Sequence, residues 1–423
     1  MLLVPYIRNN KKAIIAGLKI KNFKQIEILD DIISVDDKRR EIQKKLDDTL
    51  AESKAIAKEI GGLFKSGNID EANNKKAQTT ELKELSKNLS EELNIIQTQL
   101  TELLLKVPNV PHSSVASGNS DEDNEIIKNV GEIPELPDNA MPHWELTDKY
   151  DIIDFQLGNK ITGAGFPVYK GKGARLQRAL INFFLDNAAE AGFREVQPPL
   201  MVNEDSGYGT GQLPDKDGQM YYVGEDKLYL IPTAEVPITN IYRNSIVNSK
   251  DFPIRNTAYS QCFRREAGSY GKDVRGLNRL HQFDKVEIVV IEHPNKSYDR
   301  LEEMSNYVQT LLVKLELPYR VLRLCGGDLS FTSALTYDME VYSAAQKRWL
   351  EVSSVSNFES FQANRLKLRF KDENGKTTLA HTLNGSALAL PRIVAALLEN
   401  NQTNKGIRIP KALIPYTGFE YID

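Results

Sequence analysis

The aliphatic stripe over residues 82–103 limits what this chain can fold into more than any other feature. Leu82, Leu85, Leu89, Leu93, Ile96, Leu100 and Leu103 recur at spacings of three and four, which aligns them along one side of a helix. Upstream, Ile42, Leu46, Thr49, Ser53, Ile56, Ile60 and Leu63 keep the same rhythm. Between the two runs stands "KSGNIDEA", where Gly67 and Asn68 supply the backbone freedom that a reversal needs. The spacing predicts two antiparallel helices of roughly 35 residues, each ~50 Å long at about 1.5 Å rise per residue. A hairpin of that length cannot be enclosed in a globule and must project. Acidic and basic residues nearly cancel along it, so charge alone does not mark a nucleic-acid clamp, and the stripe by itself equally suits a dimerisation coiled coil. Residues 1–34 add a compact basic piece carrying Lys11, Lys12, Lys19, Lys21 and Lys24, expected as a short helix at the base of the arm.

Beyond the arm the texture changes. "KVPNVPHSSVASGNSDEDNE" stops the second helix at Pro108 and Pro111 and then runs polar, small and acidic, so residues 108–130 read as a linker. From about Gly131, glycine, proline and aromatics rise, and β-branched runs such as "LYLIPTAEV", "DKVEIVVIE" and "LEVSSVSNF" alternate with a few amphipathic helices, notably Ala174–Gly192 and Tyr298–Leu315. There is no regular βαβ rhythm and no G-x-x-x-x-G-K-[ST], and "GYGTG" at 207–211 lacks a strand-turn-helix setting. The expectation is an α+β chain: an N-terminal domain over 1–107 with its arm at about 36–106, the linker, and a domain over 131–423 built on an antiparallel sheet flanked by helices.

Composition narrows the function classes. A formal net charge of −4 on 423 residues gives no global basic field, so any polyanion must be met by local clusters. Cys262 and Cys325 make neither a zinc set nor a disulfide framework, which points to a reducing compartment. "MLLVPY" is too short for a signal-peptide core, and no apolar run approaches the ~20 residues that cross a bilayer. The chain reads as cytoplasmic and without a membrane partner.

Positive charge is concentrated in "FRREAGSYGKDVRGLNRLHQFDKVE", residues 263–287, which holds four arginines, two lysines and a histidine. Pairing of 257–266 with 280–291 as a hairpin brings Arg264 and Glu266 to one face. His281, Phe283, Lys285 and Glu287 share a face by the same period of two. Arginine forks grip phosphate oxygens, an aromatic ring offers a purine a flat surface, and a carboxylate can take an amine. Lys272, Arg275 and Arg279 lie on or beside the glycine-rich loop. A salt-bridged surface hairpin would have the same composition, so other segments must decide. "IPTAEVP" puts Thr233 and Glu235 on one face of a strand end. "TLNGSALALPRIVAALLENNQ" reads as a strand, a turn at Asn384-Gly385 and a helix capped by Ser386. Arg392 then falls near a helix N-terminus, against the macrodipole unless an anion sits there.

In order, the chain carries the arm, "ARLQRALINFFLDNAAEAGFREVQPPLM", "TAE", "FRREAG…HQFDKVE", "EVSSVSNFESFQANR" and "LNGSALALPR". From end to end it resembles the seryl-tRNA synthetases of bacterial type, and its C-terminal signatures are similar to motifs 1, 2 and 3 of the class II aminoacyl-tRNA synthetases. F-R-x-E alone indicates the class. "TAE" with "HQF-K-E" and the helical arm indicates the seryl family.

The resemblance implies activation of L-serine by ATP to seryl-adenylate and transfer of serine to the 3′ end of tRNA(Ser), and of tRNA(Sec) where that tRNA exists. It implies Mg²⁺ and a homodimer binding tRNA across subunits, with the arm along the tRNA's long variable region. It assigns Arg264 to the α-phosphate and the serine carboxyl, Glu266 to the adenine amino group, and Leu280, His281, Gln282 and Phe283 to the adenine, with Arg392 stacking opposite Phe283. Arg264 and Arg392 are the catalytic pair, and Arg265 falls in the same nucleotide-binding signature. Thr233, Ala234, Glu235, Glu287, Asn384 and Ser386 would form the serine pocket together with Arg264. Glu351 and Ser354 would hold Mg²⁺, with Val352 and Ser353 alongside at the phosphates. Strand alternation pairs Glu351 with Ser353, so Ser354 needs a bulge or the strand's end to reach the same place. Ala387 stands where the family commonly has glycine, and Pro391, placed after a Ser386 cap, should start the helix late. A non-catalytic relative is expected to lose Arg264, Glu266, Glu351 or Arg392, and all four are present. An enzyme that charges a carrier protein instead of tRNA would lack the arm.

Overall fold

The computed structural model describes residues 1–136, 139–215, 218–266 and 275–423. The chain divides into two compact units, one of residues 1–19 and 23–108, the other of residues 20–22 and 109–423.

In the first unit, helices α2 (Ile28–Lys65) and α3 (Ile69–Leu104) form the predicted hairpin, reversed at Gly67 with φ +81°. Ile42, Leu46, Leu89 and Leu93 pack together, with Ile96 against them. One position of the stripe differs. Leu85 is 47% exposed, and Ser86 takes the inward place. A supercoiled pair demands strict alternation of three and four, and 82, 86, 89, 93, 96, 100 satisfies it where 82, 85, 89, 93 does not. Ahead of the arm, α1 (Val4–Ile20) buries Ile7, Ile14 and Leu18. Arg8 on the same helix donates to Ile33 O at 3.0 Å and to Asp36 Oδ2 at 2.8 Å.

The second unit is built on an eight-stranded sheet: β1 (Glu125–Val130), β2 (Arg194–Glu195), β3 (Ile254–Phe263), β4 (Gln282–Glu292), β5 (Tyr319–Arg323), β6 (Leu335–Ser343), β7 (Arg348–Asn357) and β8 (His381–Ala389). The order is β1-β5-β6-β7-β8-β4-β3-β2, antiparallel except for the parallel β2–β3 pair. The helices that bear on the site are α4 (His143–Lys149), α5 (Gly171–Glu190), α6 (Glu235–Asn240), α7 (Ser297–Lys314) and α8 (Leu390–Asn400). Residues 108–130 are not a free linker. The Asn109 amide donates to Thr332 O and Phe358 O at 2.9 Å, and residues 125–130 pair with β5 as the outer strand of the sheet. The polar stretch that suggested a linker lies just ahead of that strand and is itself tied down, with Gly326 N–H donating to Ala116 O at 2.9 Å.

β4 shows why "DKVEIVVIE" reads as a continuous run instead of an alternating one. Val286, Ile288 and Val290 enter the main core, to which α5 and α7 also contribute, while Val289 and Ile291 join a smaller cluster with Ala234, Ile238, Ala258 and Phe370. Lys285 and Glu287 share the second face, and both are buried. A strand that carries two charges into the interior needs partners for them.

Candidate active site

The hairpin of β3 and β4 has the expected register, Gln282 opposite Phe263 and Glu287 opposite Ala258, but β3 stops at Phe263. Arg264 continues the ladder by one bond, its N–H to His281 O at 2.9 Å, and the chain then turns at Glu266, whose φ is +49°. Lys272 lies outside the described residues. A cavity of about 240 Å³ opens beside this corner, lined by Arg264, Glu266, Leu280, Phe283, Glu351, Val352, Ser353, Ser386 and Arg392 of the predicted set. Leu277, Asn278, Arg279, Lys285, Ala389 and Pro391 complete its wall. The Arg264 guanidinium lies 5.2 Å from the centre of the Phe283 ring, and Glu266 pairs with Arg279 at 3.7 Å. Arg265 and His281 are absent from the lining. Arg265 donates its N–H to Gln219 O at 2.8 Å, and the His281 ring stacks on Phe166 at 5.4 Å with Nδ1 3.0 Å from Arg264 O. Gln282 pairs with Phe263 beneath the cavity and does not line it either.

The motif 3 segment differs from its sequence reading. Asn384, Gly385 and Ser386 sit within β8, with no turn between them, and Ser386 caps nothing. β8 lies between β7 and β4, where Gly385 faces Val355 on one side and Ile288 on the other. A Cβ at Gly385 would come within 2.9 Å of Val355 Cγ2, so the glycine serves close strand approach and not reversal. Helix α8 starts only at Leu390, late relative to Ser386 as expected, with Pro391 in its first turn, where proline is tolerated. Arg392 follows at once. Its Nη1 donates to Glu351 O at 2.7 Å and its Nε to Asn278 O at 3.1 Å, ties that hold a cation in the first turn of a helix. Ala387 is fully buried in the core.

Of the two routes open to Ser354, the bulge is the one present. Glu340 faces Glu351 and Met339 faces Ser353, which leaves Val352 as the extra residue and returns Ser354 to the side of Glu351, opposite Asp338. Ser354 donates to Asp338 Oδ1 at 2.6 Å. Burial, and then the Glu351 charge, push the Asp338 carboxyl well above the usual carboxylate range. That marks a place short of positive charge. The donors are all oxygen, as Mg²⁺ prefers, so the residues fit that ion.

Adjoining this wall is a cluster of buried carboxylates. "TAE" is not a strand end. After the short strand Leu228–Leu230 the chain bends, and Glu235 is the first residue of α6, its N–H donating to Thr233 Oγ1 at 3.2 Å. Ala234 takes the cap position of that helix. Thr233 also donates to Glu287 Oε2 at 3.2 Å, and Lys285 Nζ meets the same oxygen at 2.5 Å. Among the described residues, the Glu235 carboxylate has no salt-bridge partner. It accepts from Gln362 Nε2 at 2.7 Å, from Gln212 at 3.5 Å and from Asn384. Thr382 donates to the Gln362 carbonyl at 2.7 Å, which turns the amide N–H₂ toward Glu235. Burial, then the charge of Glu287, push Glu235 up from 4.5 to about 7. Two carboxylates with one lysine between them suit a ligand that brings an ammonium. Lys285, Gln362 and Gln212 were not read as site residues. The period of two had already placed Lys285 on the face of Glu287, whereas a neutral glutamine carries no signal of its own.

The titration of Glu235 gives a first prediction. The folded protein retains a proton there that the unfolded chain releases, so this group's contribution to stability falls as pH rises from about 4.5 to about 7. Glu235→Gln should therefore gain stability over the parent at pH 8 relative to pH 5, by roughly 2–3 kcal/mol at most, while losing serine activation. Melts at the two pH values, with exchange assays on the same samples, read both effects. Equal melting differences at pH 5 and pH 8 would contradict this account of Glu235.

Comparison with known proteins bears on the whole chain. The family model for the seryl-tRNA synthetase N-terminal domain matches residues 1–111, and that for the class II tRNA synthetase core domain (G, H, P, S and T) matches residues 221–401. A serine--tRNA ligase of Salinibacter ruber is 50% identical over 424 residues, covering 100% of this chain and 99% of the relative. The chain belongs to the seryl-tRNA synthetase family. The crystal structure of seryl-tRNA synthetase from Pyrococcus horikoshii complexed with ATP superposes with a TM-score of 0.89 at 34% identity, covering 99% of both chains. The cytoplasmic serine-tRNA ligase of Naegleria fowleri, in complex with AMP, gives 0.86 at 27% identity over 100% of this chain and 99% of that one.

Proposed function

We infer that the chain activates L-serine with ATP to seryl-adenylate and transfers serine to the 3′ end of tRNA(Ser), and to tRNA(Sec) where that tRNA exists. The observation that carries this reading is the adjacency of two differently charged compartments. Arg264, Phe283 and Arg392 stand on a cavity open to a nucleotide, and Glu235, Glu287 and Thr233 form a buried anionic group next to it. The adenine stacks between Phe283 and Arg392, toward Leu280 and Glu266, and the α-phosphate meets Arg264. Thr233, Glu235 and Glu287 hold the serine ammonium and hydroxyl, and Asn384 and Ser386 complete that pocket. The serine carboxylate then faces the α-phosphorus. No side-chain nucleophile is needed, because the work is to align the two substrates and neutralise charge. Glu351 and Ser354, with Asp338 behind them, would hold Mg²⁺, which would offset phosphate charge.

The outer strand β1, with Ile126 and Ile127 exposed along an unpaired edge, supports a homodimer, and the family resemblance implies that tRNA is bound across its subunits. Two buried, unpaired cysteines suit a reducing cytoplasm. Incubation with tRNA(Ser), labelled serine and ATP tests the reading: label should enter tRNA only when all three are present, and label entering without ATP, or not at all, would overturn it. Arg264→Ala should lower serine-dependent pyrophosphate exchange by at least ~10²-fold, the usual loss for one charge-stabilising donor. Near-normal exchange would return the hairpin to a structural role.

A further inference from the structure

The wall of the nucleotide cavity includes Leu277, Asn278, Arg279 and Leu280, yet residues 275–280 belong to no strand. Something other than the sheet ladder must hold that backbone at a fixed height. Leu277 donates its N–H to His143 Nε2 at 2.8 Å. His143 opens α4, is fully buried and does not line the cavity. Its other ring nitrogen lies 2.7 Å from Glu399 Oε1, and its backbone N–H donates to the same oxygen at 2.9 Å. One tautomer satisfies both sides of the ring, with Nδ1–H donating to the carboxylate and Nε2 accepting from Leu277.

Glu399 is equally buried, more than a turn along α8 from Arg392. It also accepts from the Ser343 hydroxyl and from Gln346 Nε2 at 3.0 Å. Burial alone would raise this carboxyl, but its bonds to His143 and Ser343 hold it below the usual range. Gln346 then accepts from Asn278 Nδ2 at 2.9 Å, so the network returns to the cavity wall. Two contacts press the segment onto α4. The Arg275 guanidinium lies 4.7 Å from the Trp144 ring, and Gly276, at φ +66°, sits so close that a Cβ would fall 2.2 Å from His143 Nε2. The Asn278 carbonyl is the acceptor for Arg392 Nε.

We propose that His143 and Glu399 are positioning residues for the nucleotide: the pair fixes the height of the 277–280 backbone against the base and, through Asn278 O, the placement of the Arg392 guanidinium. This rests on reading the cavity as the ATP site. Neither residue touches the reacting atoms, so the signature is confined to one substrate.

Two near-isosteres divide the ring in half. His143→Asn retains an amide near Nδ1, toward Glu399, and loses the acceptor for Leu277. His143→Gln reaches the Nε2 position and keeps that acceptor. His143→Asn should raise the KM for ATP in pyrophosphate exchange about tenfold, the usual loss for one buried hydrogen bond, with the KM for serine unchanged. His143→Gln should raise the KM for ATP by clearly less than His143→Asn does and leave the KM for serine unchanged, since it keeps the acceptor for Leu277 and loses only the donor to Glu399. Gly276→Ala tests the same contact from the loop side and should also raise the KM for ATP alone. The proposal is overturned if the two His143 variants change the KM for ATP equally, if KM follows only their melting temperatures, or if Gly276→Ala leaves the KM for ATP at the parental value. Arg264→Ala, run in parallel, separates the two levels. If it impairs exchange while His143→Asn and His143→Gln behave alike, only the positioning role fails. If it too leaves exchange intact, the ATP site itself is misassigned.

Discussion

Removal of residues 40–101, with the ends closed by a short glycine linker, should leave serine-dependent pyrophosphate exchange near the parental rate and abolish efficient charging of tRNA. The cut spares the Arg8–Asp36 pair and the α1 contacts of the first unit, and it removes only a helical hairpin whose seam of Ile42, Leu46, Leu89 and Leu93 is its own. None of the residues lining the nucleotide cavity comes from it. A long pair of helices carries no chemistry, but it can track phosphates, and phosphate contacts give affinity and orientation without reading bases. The KM for tRNA should therefore rise greatly while the KM for ATP and for serine hold. In the intact protein, tRNA affinity should fall steeply with salt, because each phosphate met by a cation adds to the slope of log affinity against log salt. Near-normal charging by the armless protein would return the hairpin to a packing or dimerisation role.

Alanine should be rejected by several powers of ten relative to serine. A pocket built to bond a hydroxyl leaves its buried polar groups unpaired when the hydroxyl is missing, which penalises the shorter substrate far more than a lost methylene would. Here the cost falls on Glu287, Thr233 and Glu235 with its Gln362 and Asn384 partners, all buried. Threonine meets a weaker filter, the space for one extra methyl. The ratio of kcat/KM for serine and alanine in pyrophosphate exchange measures this. A ratio within tenfold would mean that the polar cluster does not face the side chain.

Much of the architecture is legible in the chain itself because it depends on repeating local patterns. The arm follows from its heptads, and only Leu85 misled, since a leucine looks like a core residue while the supercoil's strict repeat selects Ser86 instead. The β3–β4 register follows from alternation, and the conflict between Glu351 and Ser354 foretells the bulge at Val352. What misleads is anything that a third element decides. Asn384-Gly385 has the composition of a turn, yet two flanking strands hold it extended. "TAE" carries the right side chains, but α6 and not a strand presents them. Residues 108–130 look like a linker, and β5 recruits their end into the sheet. Gln362 and His143 become meaningful only through partners more than a hundred residues away, Glu235 and Glu399.

The central claim is that the buried carboxylates and the arginine-lined cavity together activate serine. Exchange of labelled pyrophosphate into ATP by the purified protein, run with each amino acid in turn, tests it most directly. Serine alone should drive exchange, at a rate that Arg264→Ala and Glu235→Gln both suppress. Exchange that is absent with serine, or equally fast with alanine, would contradict it.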